Sequence, residues 1–262
     1  MKRLPFISAL LISTFLFACA GSNVVTNGEN GTHPSEDAIL WQQTSAEYKA
    51  LCYQAFNAAK IRIEMIESGQ SDMAVTDNMA VIMDLDETVL DNSPYAVKMM
   101  REGKRYSEES WTEWVNKKEA ELVPGAQDFI TFLYEKGINV IFISNRDVSL
   151  IKPTIQNLAK YGIEAGPDNL FLKASNTKEE RRNKLTSYSI AMLIGDNLAD
   201  LDALFEEKLD LKQRDKLVNT EFSDEFGRRL IILPNPLYGD WMDALERTAR
   251  KREDQLNLLK SY

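Results

Sequence analysis

Histidine is almost missing from this chain: His33 is the only one in 262 residues, beside Pro34 in a polar stretch outside every candidate element. That scarcity excludes a Ser-His triad, a Cys-His dyad, histidine-based zinc sites and phosphoryl transfer through a histidine nucleophile. Cysteine is nearly as rare, with only Cys19 and Cys52, so no disulfide framework can hold the fold. Surplus basic charge is also lacking. Against 40 Asp and Glu stand 31 Lys and Arg, a net charge of −9, which argues against nucleic acid as a partner because a phosphate backbone recruits a cationic surface. The apolar stretch from Leu4 to Ala18 is too short for a helix that must cross roughly 20 residues of bilayer. What remains is an ordinary globular composition, 44% hydrophobic and 27% charged, long enough for one domain or one domain with an insertion.

Lys2 and Arg3 ahead of Leu4 to Ala18 read as an export signal over residues 1–18. Leu16-Phe17-Ala18-Cys19 resembles a bacterial lipobox, with Phe17 where that pattern usually has a small residue. The resemblance implies a lipid on Cys19 and, since Ala20 follows and not Asp, a place at the outer membrane or cell surface of a bacterium. An ordinary signal peptide with a chance cysteine is the alternative. Residues 19–36, rich in Ser, Asn, Gly and Thr, read as a flexible tether. With Cys19 lipidated, Cys52 has no partner and reads as a small buried apolar residue within a helix over Leu40 to Ile66, where Trp41, Tyr48, Leu51, Ala55, Ala59 and Ile63 recur at helical steps.

The stretch that organises the rest is Met79 to Ser93. Its apolar run, Ala80 to Met83, stops at Asp84, and Asp86 follows two residues later. In an open α/β sheet the C-terminal ends of parallel strands face a crevice, so carboxylates there are placed for chemistry. A strand-to-helix turn capped by Asp86 or Thr88 is the plainer alternative. Two further strands end alike: Ile138 to Ile143 before Ser144-Asn145-Arg146-Asp147, and Ile190 to Ile194 before Gly195-Asp196-Asn197-Leu198-Ala199-Asp200. A last strand, Leu230 to Leu233, runs into Pro234-Asn-Pro-Leu-Tyr238-Gly-Asp-Trp241.

Between these strands the spacing predicts helices from Pro124-Gly125 to Glu135, from Pro153 to Gly162, and an amphipathic one from Trp241 to Leu259 packed on the sheet. Residues 92–122 carry Tyr95, Tyr106, Trp111 and Trp114 among charges and read as a helical insertion over the site. Those aromatics suit either stacking on a flat substrate group or packing the insertion onto the core. Arg146 can pair with a phosphate or with Asp147.

Asp84-Leu-Asp-Glu-Thr88, Ser144-Asn145 and Gly195-Asp-x-x-x-Asp200, each after a strand, resemble the motifs of the haloacid dehalogenase superfamily. The longer runs Asp84 to Tyr95, Ser144-Asn-Arg146, Gly195 to Leu198 and Pro234-Asn-x-x-Tyr-Gly-x-Trp241 are similar to the class C acid phosphatases within it. The resemblance implies a Rossmann-like α/β core with a parallel central sheet flanked by helices, over residues 37–262, and a smaller helical accessory part from about 37–75 and 92–122, with 204–227 a further candidate. It implies a phosphomonoesterase with Asp84 as nucleophile and Asp86 as general acid and base, a division of labour that one carboxylate could not manage alone. Ser144 and Asn145 would donate to phosphoryl oxygens. A lysine would neutralise the phosphate, with Lys178 favoured and Lys173 as the fallback. One Mg²⁺ would be held by Asp84, Asp196 and the backbone carbonyl of Asp86, with Asp200 behind them. Nucleoside 5′-monophosphates are the implied substrates, with Tyr95, Trp111, Arg146 and Tyr238 as the contact candidates. Family members often form homodimers, although no residue here shows it. Two alternatives stay open: a ligand-binding surface lipoprotein with vestigial catalysis, and a phosphotransferase that uses an alcohol in place of water.

Overall fold

The computed structural model describes residues 35–261. The export signal, the tether up to residue 34, Cys19 and His33 lie outside the described residues, and Glu36, placed in the tether, instead opens the first helix. Among the described residues are seven strands: β1 (Met79–Met83), β2 (Leu90–Asp91), β3 (Glu121–Leu122), β4 (Asn139–Asp147), β5 (Leu170–Lys173), β6 (Ser189–Gly195) and β7 (Leu230–Ile232). Eleven α-helices accompany them: α1 (Glu36–Thr44), α2 (Ala46–Glu67), α3 (Ser93–Arg101), α4 (Glu108–Lys117), α5 (Ala126–Glu135), α6 (Ile151–Ala159), α7 (Lys178–Arg182), α8 (Leu198–Leu201), α9 (Leu211–Leu217), α10 (Asp240–Thr248) and α11 (Arg252–Leu256).

Five strands form one sheet in the order β5-β4-β1-β6-β7, and every pairing in it is parallel. β1 is central and all five of its residues are buried, which is why it reads as an unbroken apolar run and not as an alternating one. The chain leaves β1 for β4 and β5 on one side, then returns to β6 and β7 on the other. Met83 lies level with Phe142 and with Ile194. The residues just beyond, Asp84, Ser144 and Asp196, therefore emerge at one edge, where the strand order reverses and a crevice opens.

A parallel sheet must be covered on both faces, and that requirement assigns the helices. Val81 and Met83 point to one side, into a core built with Tyr48, Cys52, Phe56, Ile63, Phe129, Ile130 and Leu158. Ala80 and Ile82 point to the other, where Leu201, Phe205 and Phe222 meet them. Segments expected in an accessory part are thereby placed in the sheet's own layers: α2 covers the first face, and Phe205 and Phe222 from 204–227 cover the second. Cys52 is fully buried in the first core, and burial pushes its thiol up to about 11.

Three local expectations change. The helix over Leu40 to Ile66 is broken at Ser45, whose extended backbone and hydroxyl, accepting from Tyr48 N at 3.1 Å, cap α2. The C-terminal helix is likewise two pieces, α10 and α11, separated by an extended Ala249. It rests on the 209–217 segment instead of the sheet, through Arg247 Nε donating to Leu209 O at 2.9 Å and Leu211 N donating to Thr248 Oγ1 at 3.2 Å. Residues 92–122 form the insertion, α3 and α4, closed at its root by the antiparallel pair β2 and β3.

Gly125 opens α5 at φ 89°, and a Cβ there would meet Phe56 and Tyr53 at 3.0 and 3.1 Å. Gly125→Ala is expected to destabilise the fold by about 1–3 kcal/mol, combining left-handed strain with overpacking against α2. Urea unfolding should give a lower midpoint with an unchanged slope.

Candidate active site

Asp84 leaves β1 with its backbone N–H donating to Ile194 O at 2.9 Å. Its carboxylate is buried. Against it lies the ammonium of Lys178, which donates to Asp84 Oδ1 and, at 2.5 Å, to Asp200 Oδ1. Lys178 opens α7 behind Thr177, which with Glu180 forms a reciprocal cap. One turn on, the buried Arg181 locks this short helix to the sheet: it donates to Ser144 O at 2.6 Å, Phe171 O at 3.1 Å, Asn145 Oδ1 at 2.7 Å and Thr177 O at 3.1 Å. Lys173, at the end of β5, is exposed, so Lys178 is the lysine at this edge.

Asp84, Asp196 and Asp200 bring carboxylate oxygens within 4.8 Å of one another. Asp196 accepts from Thr88 Oγ1 at 3.1 Å and from Asn235 Nδ2 at 2.8 Å. Asp200 accepts from Lys178 and, at 3.0 Å, from the backbone N–H of Asn197. Both oxygens of Asp200 are thus committed to protein donors. Burial pushes Asp84 above the usual carboxylate range while Lys178 pulls it back. Desolvation, then Asp200 and Asp84, push Asp196 well up. Burial alone would lower the Lys178 ammonium, but Asp200 and Asp84 outweigh it and hold it protonated. Three crowded carboxylates against one ammonium leave negative charge uncompensated, and hard oxygen donors of this kind fit a divalent cation. The carboxylate of Asp86 is not in this cluster.

Asp86 turns the other way. Arg146 grips it as a fork, Nη2 to Oδ1 at 2.7 Å and Nε to Oδ2 at 3.2 Å. Asn92 Nδ2 adds 2.8 Å to Oδ1, and the buried Ser144 hydroxyl lies 3.4 Å from Oδ2. Arg146 therefore pairs with Asp86, sixty residues away, and not with Asp147, whose carboxylate caps the next turn by accepting from Ser149 N at 2.9 Å. Asn145 is exposed, with its carbonyl oxygen held by Arg181.

The aromatic candidates divide. Tyr95 is buried, its hydroxyl 2.9 Å from Ser110 Oγ and its ring edge-on to Trp111 at 5.2 Å. It packs the insertion. Trp111 is half-buried under the Arg146 guanidinium, 5.7 Å from its ring centre. Tyr238 is 42% exposed and donates its hydroxyl to Glu87 Oε2. Glu87 had no role in the sequence reading, yet it is fully buried with φ 57°. It accepts from Asn92 N at 2.8 Å, and burial, with Asp86 and Asp196 near, holds it well above the usual range. Thr88, Asn92, Asn235 and Arg181 are further parts that only the folded chain reveals. A third acid, Glu87, directly after the motif carboxylates Asp84 and Asp86, and Asn235 between two prolines, are the signals that could have marked them.

Gly195 ends β6 against Asp200. Its missing side chain makes room for Asp200, since a Cβ at Gly195 would lie 2.3 Å from Asp200 Cβ. Gly195→Ala should therefore displace Asp200 and free Lys178, costing about 1–3 kcal/mol of stability by overpacking, measurable as a lower thermal midpoint.

A family model described as HAD superfamily, subfamily IIIB (Acid phosphatase) matches residues 13–241. The class C acid phosphatase from Bacillus anthracis is similar over 87% of this chain and 97% of its own, with 34% identity and a TM-score of 0.76. Its crystal structure with tungstate bound gives 33% identity and a TM-score of 0.77 at the same coverage. The stem 31 kDa glycoprotein of Glycine max is 28% identical over 245 residues, 88% of this chain and 84% of that protein.

Proposed function

Because the chain belongs to the acid phosphatases of HAD superfamily subfamily IIIB, we propose that it hydrolyses phosphomonoesters, nucleoside 5′-monophosphates foremost, through an aspartyl-phosphate on Asp84. The observation that carries this reading is the buried Asp84 carboxylate at the end of β1, held by Lys178 beside Asp196 and Asp200. The Bacillus anthracis relative holds tungstate, a tetrahedral oxyanion with the shape of phosphate, which supports an oxyanion-binding crevice here.

In the proposed mechanism an Asp84 oxygen forms a bond to phosphorus as the ester P–O bond breaks in line. Asp86 gives its proton to the departing alkoxide. Lys178, Ser144 and the Asn145 side-chain amide would donate to the phosphoryl oxygens and balance the charge that spreads over them. Water then attacks phosphorus, Asp86 takes its proton, and the bond to Asp84 breaks to release phosphate. Asp84 and Asp196 would hold a Mg²⁺, with the Asp86 backbone carbonyl as a further ligand and Asp200 orienting Lys178; when bound, the cation supplies Lewis-acid stabilisation of the phosphoryl charge. Trp111 and the exposed ring of Tyr238 offer flat apolar surface for a base. Cys19 carries the lipid that holds the enzyme at the bacterial surface.

Phosphate release should be measured with a 5′-nucleotide, its 3′ isomer, a sugar phosphate and an aryl phosphate, with Mg²⁺ and with chelator. Metal-dependent release favouring the 5′-nucleotide is expected. Equal rates on all four esters would remove the base clamp. No release with any metal would favour the binding lipoprotein, and phosphate transferred to an added alcohol would identify a phosphotransferase. Asp84→Asn should leave less than about a thousandth of turnover, a loss of about 4 kcal/mol of transition-state stabilisation. Cys19→Ala should move the protein from the detergent phase to the aqueous phase on partitioning; unchanged partitioning would count against the anchor.

A further inference from the structure

Two tryptophans three residues apart on α4, Trp111 and Trp114, each touch one of the two side chains that grip Asp86. Trp114 Nε1 donates to Asn92 Oδ1 at 2.8 Å. An indole N–H can only donate, so it fixes which end of the Asn92 amide is the carbonyl. The amide nitrogen is thereby committed to Asp86 Oδ1, at 2.8 Å. Trp111 lies under the Arg146 guanidinium at 5.7 Å, and Thr154 Oγ1 takes Arg146 Nη1 at 3.1 Å. Asn92 and Arg146 are themselves buried, so neither side chain can swing into solvent.

The two oxygens of Asp86 are held unequally. Oδ1 collects Arg146 Nη2 at 2.7 Å, Arg146 Nε at 3.0 Å and Asn92 Nδ2 at 2.8 Å. Among the described residues Oδ2 meets only Arg146 Nε at 3.2 Å and the Ser144 hydroxyl at 3.4 Å. One oxygen is an anchor and the other is loosely held. We propose that α4 of the insertion is the positioning element for proton transfer: through Trp114–Asn92 and Trp111–Arg146 it anchors Asp86 Oδ1 and leaves Oδ2 as the oxygen that exchanges the proton. This rests on Asp86 being the general acid of the proposed reaction. As the ester P–O bond breaks, the proton on Oδ2 passes to the alkoxide, and Arg146 stabilises the carboxylate left behind. Trp114, Asn92 and Arg146 are positioning residues; none needs to touch the substrate.

Leaving-group chemistry separates positioning from general damage. An alkyl phosphate expels a strongly basic alkoxide and needs the proton, whereas a nitrophenyl phosphate expels a stable phenolate and needs it little. The comparison uses kcat/KM, which covers the chain of steps through loss of the alcohol. Trp114→Phe keeps an aromatic ring and deletes the donor. It should lower kcat/KM for the alkyl ester about tenfold, the scale of one positioning hydrogen bond, and that for the nitrophenyl ester less than about threefold. Arg146→Lys, which retains the charge but loses the fork, should show the same bias and guards against a Trp114 variant that does not fold. Asp86→Asn is the reference and should show the bias at about a hundredfold or more. Equal losses on both esters in Trp114→Phe and Arg146→Lys, or no loss on either, would overturn the positioning role while a biased Asp86→Asn leaves the acid role standing. An unbiased Asp86→Asn would overturn both.

Discussion

The Lys178 ammonium, buried between Asp84 and Asp200, is the contact on which the rest of the site depends. Removing three charges from water is costly, and the cost is offset only when every partner is in place. Each neighbour therefore constrains the next. Arg181 fastens α7 to the carbonyls at the ends of β4 and β5, so Lys178 cannot retreat. The absent side chain of Gly195 gives Asp200 its seat, and the Asn197 N–H holds the oxygen that Lys178 leaves. The result is a rigid cluster with more negative than positive charge. Such an arrangement is poor for stability and well suited to receiving a cation and a phosphoryl group.

Around that pair the sheet separates two carboxylates that sit two residues apart. Asp84 faces β6 and the acidic cluster; Asp86 faces β4 and Arg146. Asp84 and Asp86 so occupy unlike environments, one beside an ammonium and further acids, the other held by a guanidinium. The insertion serves the second environment. Tyr95 of α3 holds the two helices together through Trp111 and Ser110 of α4, and Trp111 and Trp114 extend that packing to the side chains around Asp86. Glu87, in a strained left-handed conformation, links the same turn to Tyr238 of the last loop. Parts far apart in the chain are in this way tied to one five-residue turn after β1.

Much of this was legible beforehand because it is local. The apolar runs before Asp84 and Asp196 become β1 and β6, close to their expected bounds, since a strand buried on both faces must be continuously apolar; the run before Ser144 becomes β4, which continues four residues past Ile143 to Asp147 and takes in the polar motif. The helix expected to stop at Glu135 does so, with Gly137 at φ 68° just beyond it, because a turn with positive φ favours glycine. Local pattern misled where tertiary burial competes with it. Periodicity joined α1 to α2 and α10 to α11, since the breaks at Ser45 and Ala249 carry neither Gly nor Pro. It also set α2 and 204–227 apart from the sheet, because an amphipathic face does not say which apolar surface covers it.

By itself the amino-acid order determined that a parallel α/β sheet forms, that Asp84, Asp86 and Asp196 follow strand ends and that Ser144 ends the apolar run of its strand, since those facts follow from period and from which residue ends each run. Only the tertiary structure decided who meets whom. Lys178 reaches Asp84 across 94 residues, Arg146 reaches Asp86 across 60 and Tyr238 reaches Glu87 across 151. Charged side chains at such separations have many partners equal in type. The choice among them is made by strand order, register and helix placement, which bring one pair within hydrogen-bond distance and bury it away from the others.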